Sequence, residues 1–201
     1  MDLDALLAPP TPAARQALEV VERWASPEIV NHSIRSWAWA RALGLRIGLD
    51  HDPDLLYVAA MLHDLGVTPA FDAHETVFET AGGAAGWTFA AGAGWAPARR
   101  DRVLEVIERH MWASVDPAFD AEGHLLEVAT SLDVSGVAPE RWDAALLRSV
   151  TARHPRLGFS DDFAAAIHAQ ARRKPGSGAH RLDGSGRIAV GAEIWARILA
   201  R

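Results

Sequence analysis

Signals that start helices recur along this chain, and they narrow its folds more than any other feature. A capping residue followed by proline occurs at Ser26-Pro27 and at Asp52-Pro53, and Pro97 precedes another run with apolar residues at helical spacing. Proline is favoured at the first position of a helix because an N–H there would be unpaired anyway. No stretch alternates convincingly between apolar and polar residues, as a half-buried strand does. The pattern predicts an all-α, single-domain bundle of about seven helices.

The composition changes near the C-terminus, where glycine becomes frequent. The stretch PGSGAHRLDGSGR follows Lys174 and precedes AEIWARILAR, which has helical spacing. A glycine-rich stretch of this kind is typical of a lid or an arm. We expect an N-terminal helix that packs on the domain (1–25), a main body (26–174), and a glycine-rich loop with a C-terminal helix of the same domain (175–201). The last helix could join a second copy in a homo-oligomer, although a helix that closes its own core is the simpler interpretation.

Charge and cysteine content exclude several classes of function. The chain has 20 basic and 26 acidic residues, a formal net charge of −6, and no cysteine. An acidic chain is poorly suited to nucleic acid or to an anionic membrane, so we expect neither as a partner. Without cysteine, any metal must be held by histidine and carboxylate. The N-terminus is acidic and broken by prolines, unlike a signal peptide, which favours a cytoplasmic protein.

The most informative chemical feature is the doublet His63-Asp64, which ends the apolar run AAML. An unpaired charge in apolar surroundings is costly, so Asp64 needs a cation or several hydrogen-bond donors. Taken alone, such a doublet is more often structural. However, His32 in an earlier helix and Asp133 in a later apolar helix would bring imidazole and carboxylate groups into the same interior. That arrangement is too costly unless a metal ion neutralises the charge.

The order His32, His63-Asp64, Asp133 resembles the HD-domain superfamily of all-α, metal-dependent hydrolases. The contexts HSIR, AAMLHDLG and LEVATSLDVSG strengthen the resemblance. Within the superfamily the chain is similar to the cyanamide hydratase group, over roughly residues 28–180. The matching features are HDLGVTP, Phe78-Glu79, Gly82-Gly83, Ile107 to His110 with Glu108 inserted, Lys174-Pro175 and His180. The glycine-rich residues 176–178 depart from the family pattern, so the substrate stays open.

The resemblance implies that residues 26–174 form an HD metal-binding domain. His32, His63, Asp64 and Asp133 would be the metal ligands. Two nitrogen and two oxygen ligands suit a divalent transition metal, and we expect one ion per chain, zinc first, with iron or manganese as alternatives. Such an ion lowers the pKa of a bound water to about 7.

Three residues are assigned catalytic roles, namely Asp64, Glu79 and His110. Glu79 stands four residues before Gly83, where di-iron members of the superfamily have a histidine, so a mononuclear site with a glutamate proton shuttle is favoured. His110 could orient the substrate or move protons, or it could be a hydrogen-bonded core histidine. His74 could bind a second metal, although its polar surroundings favour an exposed side chain.

The residues assigned to substrate binding are Arg35, Thr68, Phe78, Lys174 and His180. Arg35 follows His32 by one helical turn and could pair with a ligand carboxylate, with substrate, or with a surface group. Lys174 and His180 are singled out by the family resemblance, and a flexible loop is their default interpretation.

The implied reaction is attack of metal-activated water on a small nitrile-like substrate, of the type that converts cyanamide to urea. A single-carbon substrate is expected to need a small, closed pocket. One alternative is a phosphohydrolase acting on a nucleotide or phosphate ester, with Arg35, Arg109 and Lys174 as candidate phosphate ligands. A two-iron oxygenase is disfavoured by Glu79. A metal-containing binding module without turnover is the remaining alternative.

Overall fold

The computed structural model describes residues 2–200, and within this range the chain contains eleven α-helices and no strand. The helices are α1 (Leu3–Leu7), α2 (Pro12–Trp24), α3 (Pro27–Ile47), α4 (Pro53–Leu62), α5 (Phe78–Gly92), α6 (Pro97–Arg109), α7 (Ala121–Ser135), α8 (Ala144–Arg153), α9 (Phe159–Arg173), α10 (Gly178–Ser185) and α11 (Arg187–Leu199). Two 3-10 turns lie at Leu65–Val67 and Pro139–Arg141. The all-α class is confirmed. None of the helices in residues 2–200 has the length and apolar character needed to cross a membrane.

The predicted helix starts hold because local side chains pair with free backbone amides. The Ser26 side chain accepts from the Ile29 N–H at the start of α3. The Asp52 side chain accepts from the N–H groups of Asp54 and Leu55 at the start of α4. Each capping bond satisfies a backbone donor that has no partner within the helix.

The helix count exceeds the prediction at both ends, with α1 before the expected N-terminal helix and α10 on the C-terminal side. The expected glycine-rich loop over 175–187 is wrong, because residues 178–185 form α10. Ser177 caps this helix by accepting from the His180 N–H, and Gly186 ends it in the left-handed conformation with φ 69°. A Cβ on Gly178 would lie 2.9 Å from Met111 Cε and 3.0 Å from Glu79 Oε1. The glycines therefore permit close packing and a sharp helix end, where the composition alone suggests flexibility.

The main hydrophobic core lies where α3, α4 and α7 pack together. Its members include the fully buried Trp37 and Trp39 of α3, and every residue of α4 after Pro53 is buried. A smaller cluster includes Phe78, Phe159 and Phe163. The buried face of α11 completes the core, since Trp195 is 1% exposed and its Nε1–H donates to Leu132 O at 3.0 Å. Polar groups on α3, α4 and α7 are thereby held inside the protein.

Candidate metal centre

Two helices and a turn bring three potential ligands together in the interior. His32 lies on α3, His63 follows the last residue of α4, and Asp64 follows it directly; all three are buried. His32 Nε2 lies 3.1 Å from His63 Nε2, and Asp64 Oδ2 lies 3.4 and 3.3 Å from these two nitrogens. Two ligands bound to one zinc ion at about 2.0–2.1 Å in a tetrahedral arrangement lie about 3.3–3.4 Å apart. The triangle of ligand atoms therefore has the size that one metal ion requires.

The hydrogen-bond partner of Nδ1 shows which nitrogen of each imidazole carries the hydrogen. His63 Nδ1 lies 2.8 Å from Ala60 O, and His32 Nδ1 lies 2.7 Å from Asp133 Oδ2. Because both oxygens are acceptors, both Nδ1 atoms carry hydrogen, and the two Nε2 lone pairs face each other. Two facing lone pairs repel unless a cation or a proton lies between them. Burial lowers the pKa of His32, but Asp133 and Asp64 outweigh it and raise the pKa overall, so a positive charge is favoured here.

The Asp64 carboxylate also lacks donors. Both of its oxygens are buried, and neither has a hydrogen-bond partner within residues 2–200. Burial alone would raise the pKa of Asp64, but His63 and His32 hold it well below its ordinary value, so the group is ionised. A buried carboxylate without donors is unstable unless a cation compensates it. The donor set fits a divalent metal ion.

The structure does not bring Asp133 into this triangle. Its two carboxylate oxygens accept bonds of 2.8 Å from Arg35 Nε and Nη2, in addition to the bond from His32 and one of 3.2 Å from Trp39 Nε1. Arg156 Nη1 lies 3.3 Å from Asp133 Oδ1. The carboxylate is saturated by these donors, so it anchors His32 from behind. Such carboxylate–histidine pairs orient metal-binding imidazoles.

Arg35, predicted to bind substrate, instead binds the Asp133 carboxylate. It is 0% exposed, and Nη1 donates to the carbonyl oxygens of His154 and Pro155, each at 3.1 Å. Of the alternatives drawn from the sequence, the structure shows Arg35 paired with Asp133, a carboxylate of the predicted ligand set, and buried away from solvent.

His110 lies beside the triangle. His110 Nε2 is 3.8 Å from Asp64 Oδ1, and its ring centroid is 4.9 Å from that of His63. Its Nδ1 bonds to Ile107 O, which leaves the Nε2 lone pair directed towards the site. Burial, assisted by His63, lowers the pKa of His110 to about 4, so the ring is neutral.

Glu79 and His74 lie outside the triangle. Glu79 is half-buried beside Gly178, and its Oε2 has no hydrogen-bond partner within residues 2–200. Burial raises the pKa of Glu79 above its ordinary value. His74 is exposed in the loop between α4 and α5, as its polar sequence favours.

The triangle forms a buried part of the wall of a cavity of about 390 Å³. Besides the triangle and His110, its wall includes Thr130 and Val134 of α7, Phe163 of α9, and Arg181 and Leu182 of α10. Trp112, Ser185 and Arg187 also line it and are exposed, so this side opens to solvent. This cavity, as residues 2–200 form it, therefore differs from the small, closed pocket expected.

None of the residues predicted to bind substrate lines this cavity as formed by residues 2–200. Arg35 pairs with Asp133 as described, and the Thr68 hydroxyl donates to Leu65 O at 2.8 Å within its own turn. Phe78 is fully buried with its ring 5.7 Å from His110. Lys174 is buried, bonds to Gln170 and lies 3.5 Å from Asp72, and His180 is exposed on α10. These side chains support the wall from behind or face solvent.

Sequence reasoning missed Arg181 and Arg187. The signal was present in Ser177, a capping residue, and Gly186, a helix-ending residue, which together bound a helix over 178–185. Had that helix been recognised, the two arginines would have been placed near its end instead of in a flexible loop.

Comparison with known proteins agrees with this geometry. The family model of the HD domain matches residues 29–135, from α3 to the end of α7. The chain is similar to two proteins of Saccharomyces cerevisiae, cyanamide hydratase DDI2 and cyanamide hydratase DDI3. It is 28% identical to each over 177 residues, which cover 85% of this chain and 78% of the relative. The family match includes every residue of the predicted metal ligand set.

Proposed function

We infer the function from the family: the chain belongs to the HD-domain family, and it is a metal-dependent enzyme of the hydrolase or hydro-lyase kind. We propose that it hydrates a small nitrile-like substrate, with conversion of cyanamide to urea as the type reaction. The observation that carries this proposal is the buried triangle of His32, His63 and Asp64, whose facing lone pairs and unpartnered carboxylate need a cation. The relatives named as cyanamide hydratases support the choice of reaction.

We propose one divalent transition metal ion per chain, with zinc first and iron or manganese as alternatives. His32, His63 and Asp64 would bind it, and Asp133 would orient His32. When bound, the ion supplies an activated water by lowering its pKa to about 7. Arg35 and Asp133 maintain the ring orientation of His32 without touching substrate.

Hydration of a carbon–nitrogen triple bond first forms a C–O bond, breaks one C–N π bond, and moves one proton from the water oxygen to the substrate nitrogen, which gives an imidic acid. A second proton then moves from that oxygen to the nitrogen as the remaining C–N π bond is replaced by a C=O bond, which gives urea from cyanamide or an amide from a nitrile. His110 is placed to hold that proton, because its free Nε2 faces Asp64 and lines the cavity. Glu79 is less well placed, because its carboxylate lies behind Gly178 and outside the cavity wall. We therefore propose His110 as the proton carrier and Asp64 as a ligand.

The test combines metal analysis with urea release from cyanamide. The wild type is expected to bind about one ion per chain and to release urea, while Asp64→Asn loses both, because the carboxylate charge is removed from the triangle. Asp161→Asn, an exposed residue at the start of α9, is the matched control and should behave as the wild type. A metal-loaded wild type that releases no urea would overturn the cyanamide reaction.

Hydrolysis of a phosphate ester is a second candidate, favoured by Arg181 and Arg187 at the cavity. The candidate phosphate ligands from the sequence are already paired: Arg35 with Asp133, Arg109 with Asp120, and Lys174 with Asp72. Phosphate release from a nucleotide without urea release from cyanamide would favour this reaction. A metal-loaded protein inert in both assays would favour the binding module without turnover.

A further inference from the structure

The cavity is larger than the minimal substrate requires. Its volume of about 390 Å³ would hold roughly a dozen water molecules at about 30 Å³ each. A single-carbon molecule such as cyanamide would fill only a small part of it. Trp112, which lines the open side, is 51% exposed. The space beyond the metal triangle is therefore accessible to the rest of a larger substrate.

The charge of the outer part of the cavity is positive although the chain as a whole carries −6. Arg181 and Arg187 line it, and neither forms an ion pair within residues 2–200, although Arg181 lies near enough to Glu79 for its charge to oppose the burial that raises the pKa of Glu79. Arg181 Nη1 donates to Gly176 O at 2.8 Å, which leaves its other N–H groups free. Asp64 is the carboxylate in the cavity wall, and the metal triangle uses it. A bound divalent ion would make the cavity more positive still, and such a field attracts anions.

Part of the cavity wall is apolar. Val134, Phe163 and Leu182 line the cavity and belong to one apolar cluster, and the ring centroid of Phe163 lies 6.0 Å from that of His32. A hydrocarbon segment of a substrate would bury apolar surface there. The cavity is therefore lined by three kinds of group: the triangle of ligand atoms, apolar side chains and two arginines.

We propose that Arg181 and Arg187 form an anion subsite, and that the substrate is a nitrile-like compound with a carboxylate at the end of a short hydrocarbon chain. The reacting carbon lies at the metal triangle and the carboxylate lies between the two guanidinium groups. This inference rests on the proposed function for the reacting end of the substrate. Water adds across the triple bond, both of its protons end on the nitrogen and its oxygen ends as the carbonyl oxygen, so the product is an amide that keeps its carboxylate.

The test measures binding of a matched pair of product-like molecules to the metal-loaded protein by isothermal titration calorimetry. Succinamate is the hydration product of 3-cyanopropanoate, and succinamide has nearly the same shape without the charge. We expect succinamate to bind at least tenfold more tightly, a difference of about 1.4 kcal/mol. The preference should decrease at high salt, because the arginines are exposed and screened.

The variant Arg181→Gln/Arg187→Gln is expected to bind the two molecules with similar affinity. Both side chains are exposed, so the fold should persist. Arg197→Gln is the matched control, because Arg197 is exposed on α11, as Arg187 is, but does not line the cavity. It should keep the tenfold preference. Equal affinities in the wild type, absence of binding, or a preference that survives the double substitution would overturn the anion subsite.

A kinetic arm separates this inference from the proposed function. We expect 3-cyanopropanoate to be hydrated with a KM at least tenfold below that of 3-cyanopropanamide, and the double variant to remove this difference. Urea release from cyanamide together with equal binding of succinamate and succinamide would overturn the subsite alone. A preserved binding preference with no hydration of any nitrile would overturn the proposed reaction and support the subsite.

Discussion

Replacing Arg35 by methionine should destabilise the protein strongly, because it removes a partner from a buried ion pair. Arg35 and Asp133 are both 0% exposed, and two bonds of 2.8 Å join them. Breaking one side of a buried pair costs about 3–5 kcal/mol, since the remaining charge is left without compensation. Arg156, His32 and Trp39 still contact Asp133, which favours the lower end of this range. For a chain of this size, about 3 kcal/mol lowers Tm by roughly 6–12 °C.

The assay is thermal and urea unfolding of the metal-free protein, so that stability is measured apart from ion binding. Arg46→Met, at an exposed position near the end of the same helix, is the control and should leave Tm within about 2 °C. Adding Asp133→Leu to Arg35→Met should destabilise less than the sum of the single changes, because two coupled partners are removed together. A loss below about 1 kcal/mol for Arg35→Met, or simple additivity in the cycle, would show that the pair is not the stabilising unit inferred here.

Three further predictions concern packing, pH and metal. Gly66→Ala should lower the unfolding free energy by about 3 kcal/mol in urea, because a Cβ there would overlap Phe78 O and lie 2.8 Å from Phe78 C. Gly184→Ala is the control and should be neutral or slightly stabilising, because a Cβ there would have nothing within 4 Å. Equal effects of the two substitutions would contradict the packing argument. Burial alone would raise the pKa of Asp120, but Arg102, the Gly123 N–H and Arg109 lower it below the ordinary 3.8. The ionised Asp120 therefore stabilises the fold fully above pH 3.8, and this stabilisation is lost as the pH falls through the pKa of the folded state. The unfolding free energy should accordingly fall less steeply with acid in Asp120→Asn than in the wild type. Zinc at a hundred times its Kd should raise the unfolding free energy of the wild type by about 2.7 kcal/mol. Asp64→Asn should abolish this increase, and its absence in the wild type would contradict the metal centre.

The parts of the fold that follow from local chemistry were predictable from the sequence. The starts of α3 and α4 depend on a capping side chain and a proline within four residues, so the printed letters contain the required information. The glycine-rich segment is predicted as a loop but forms α10, because glycine is found both in flexible loops and in closely packed helices. Only the neighbours of Gly178, which are Glu79 of α5 and Met111 after the end of α6, decide between them.

The candidate site was predictable where the ligands are adjacent or share an obvious pattern, as in His63-Asp64. The role of Asp133 was not, because its carboxylate is saturated by donors about a hundred residues away in the chain, chiefly His32 and Arg35. The cavity wall was not predictable for the same reason: α7 and α10 meet only in the folded protein. Which side chains face that space depends on packing between segments that carry no mutual signal in one sequence.

Gly186 ends α10 and directly precedes α11, so the relative positions of Arg181 and Arg187 depend on the backbone of one residue with φ 69°. His32, His63 and Asp64, in contrast, are held by α3 and α4 inside the largest core. The reactive end and the outer end of the cavity are therefore carried by separate structural units. A change in the backbone at Gly186 would therefore alter the length of the molecule that fits between the triangle and the arginines while the ligand geometry at the triangle stays the same.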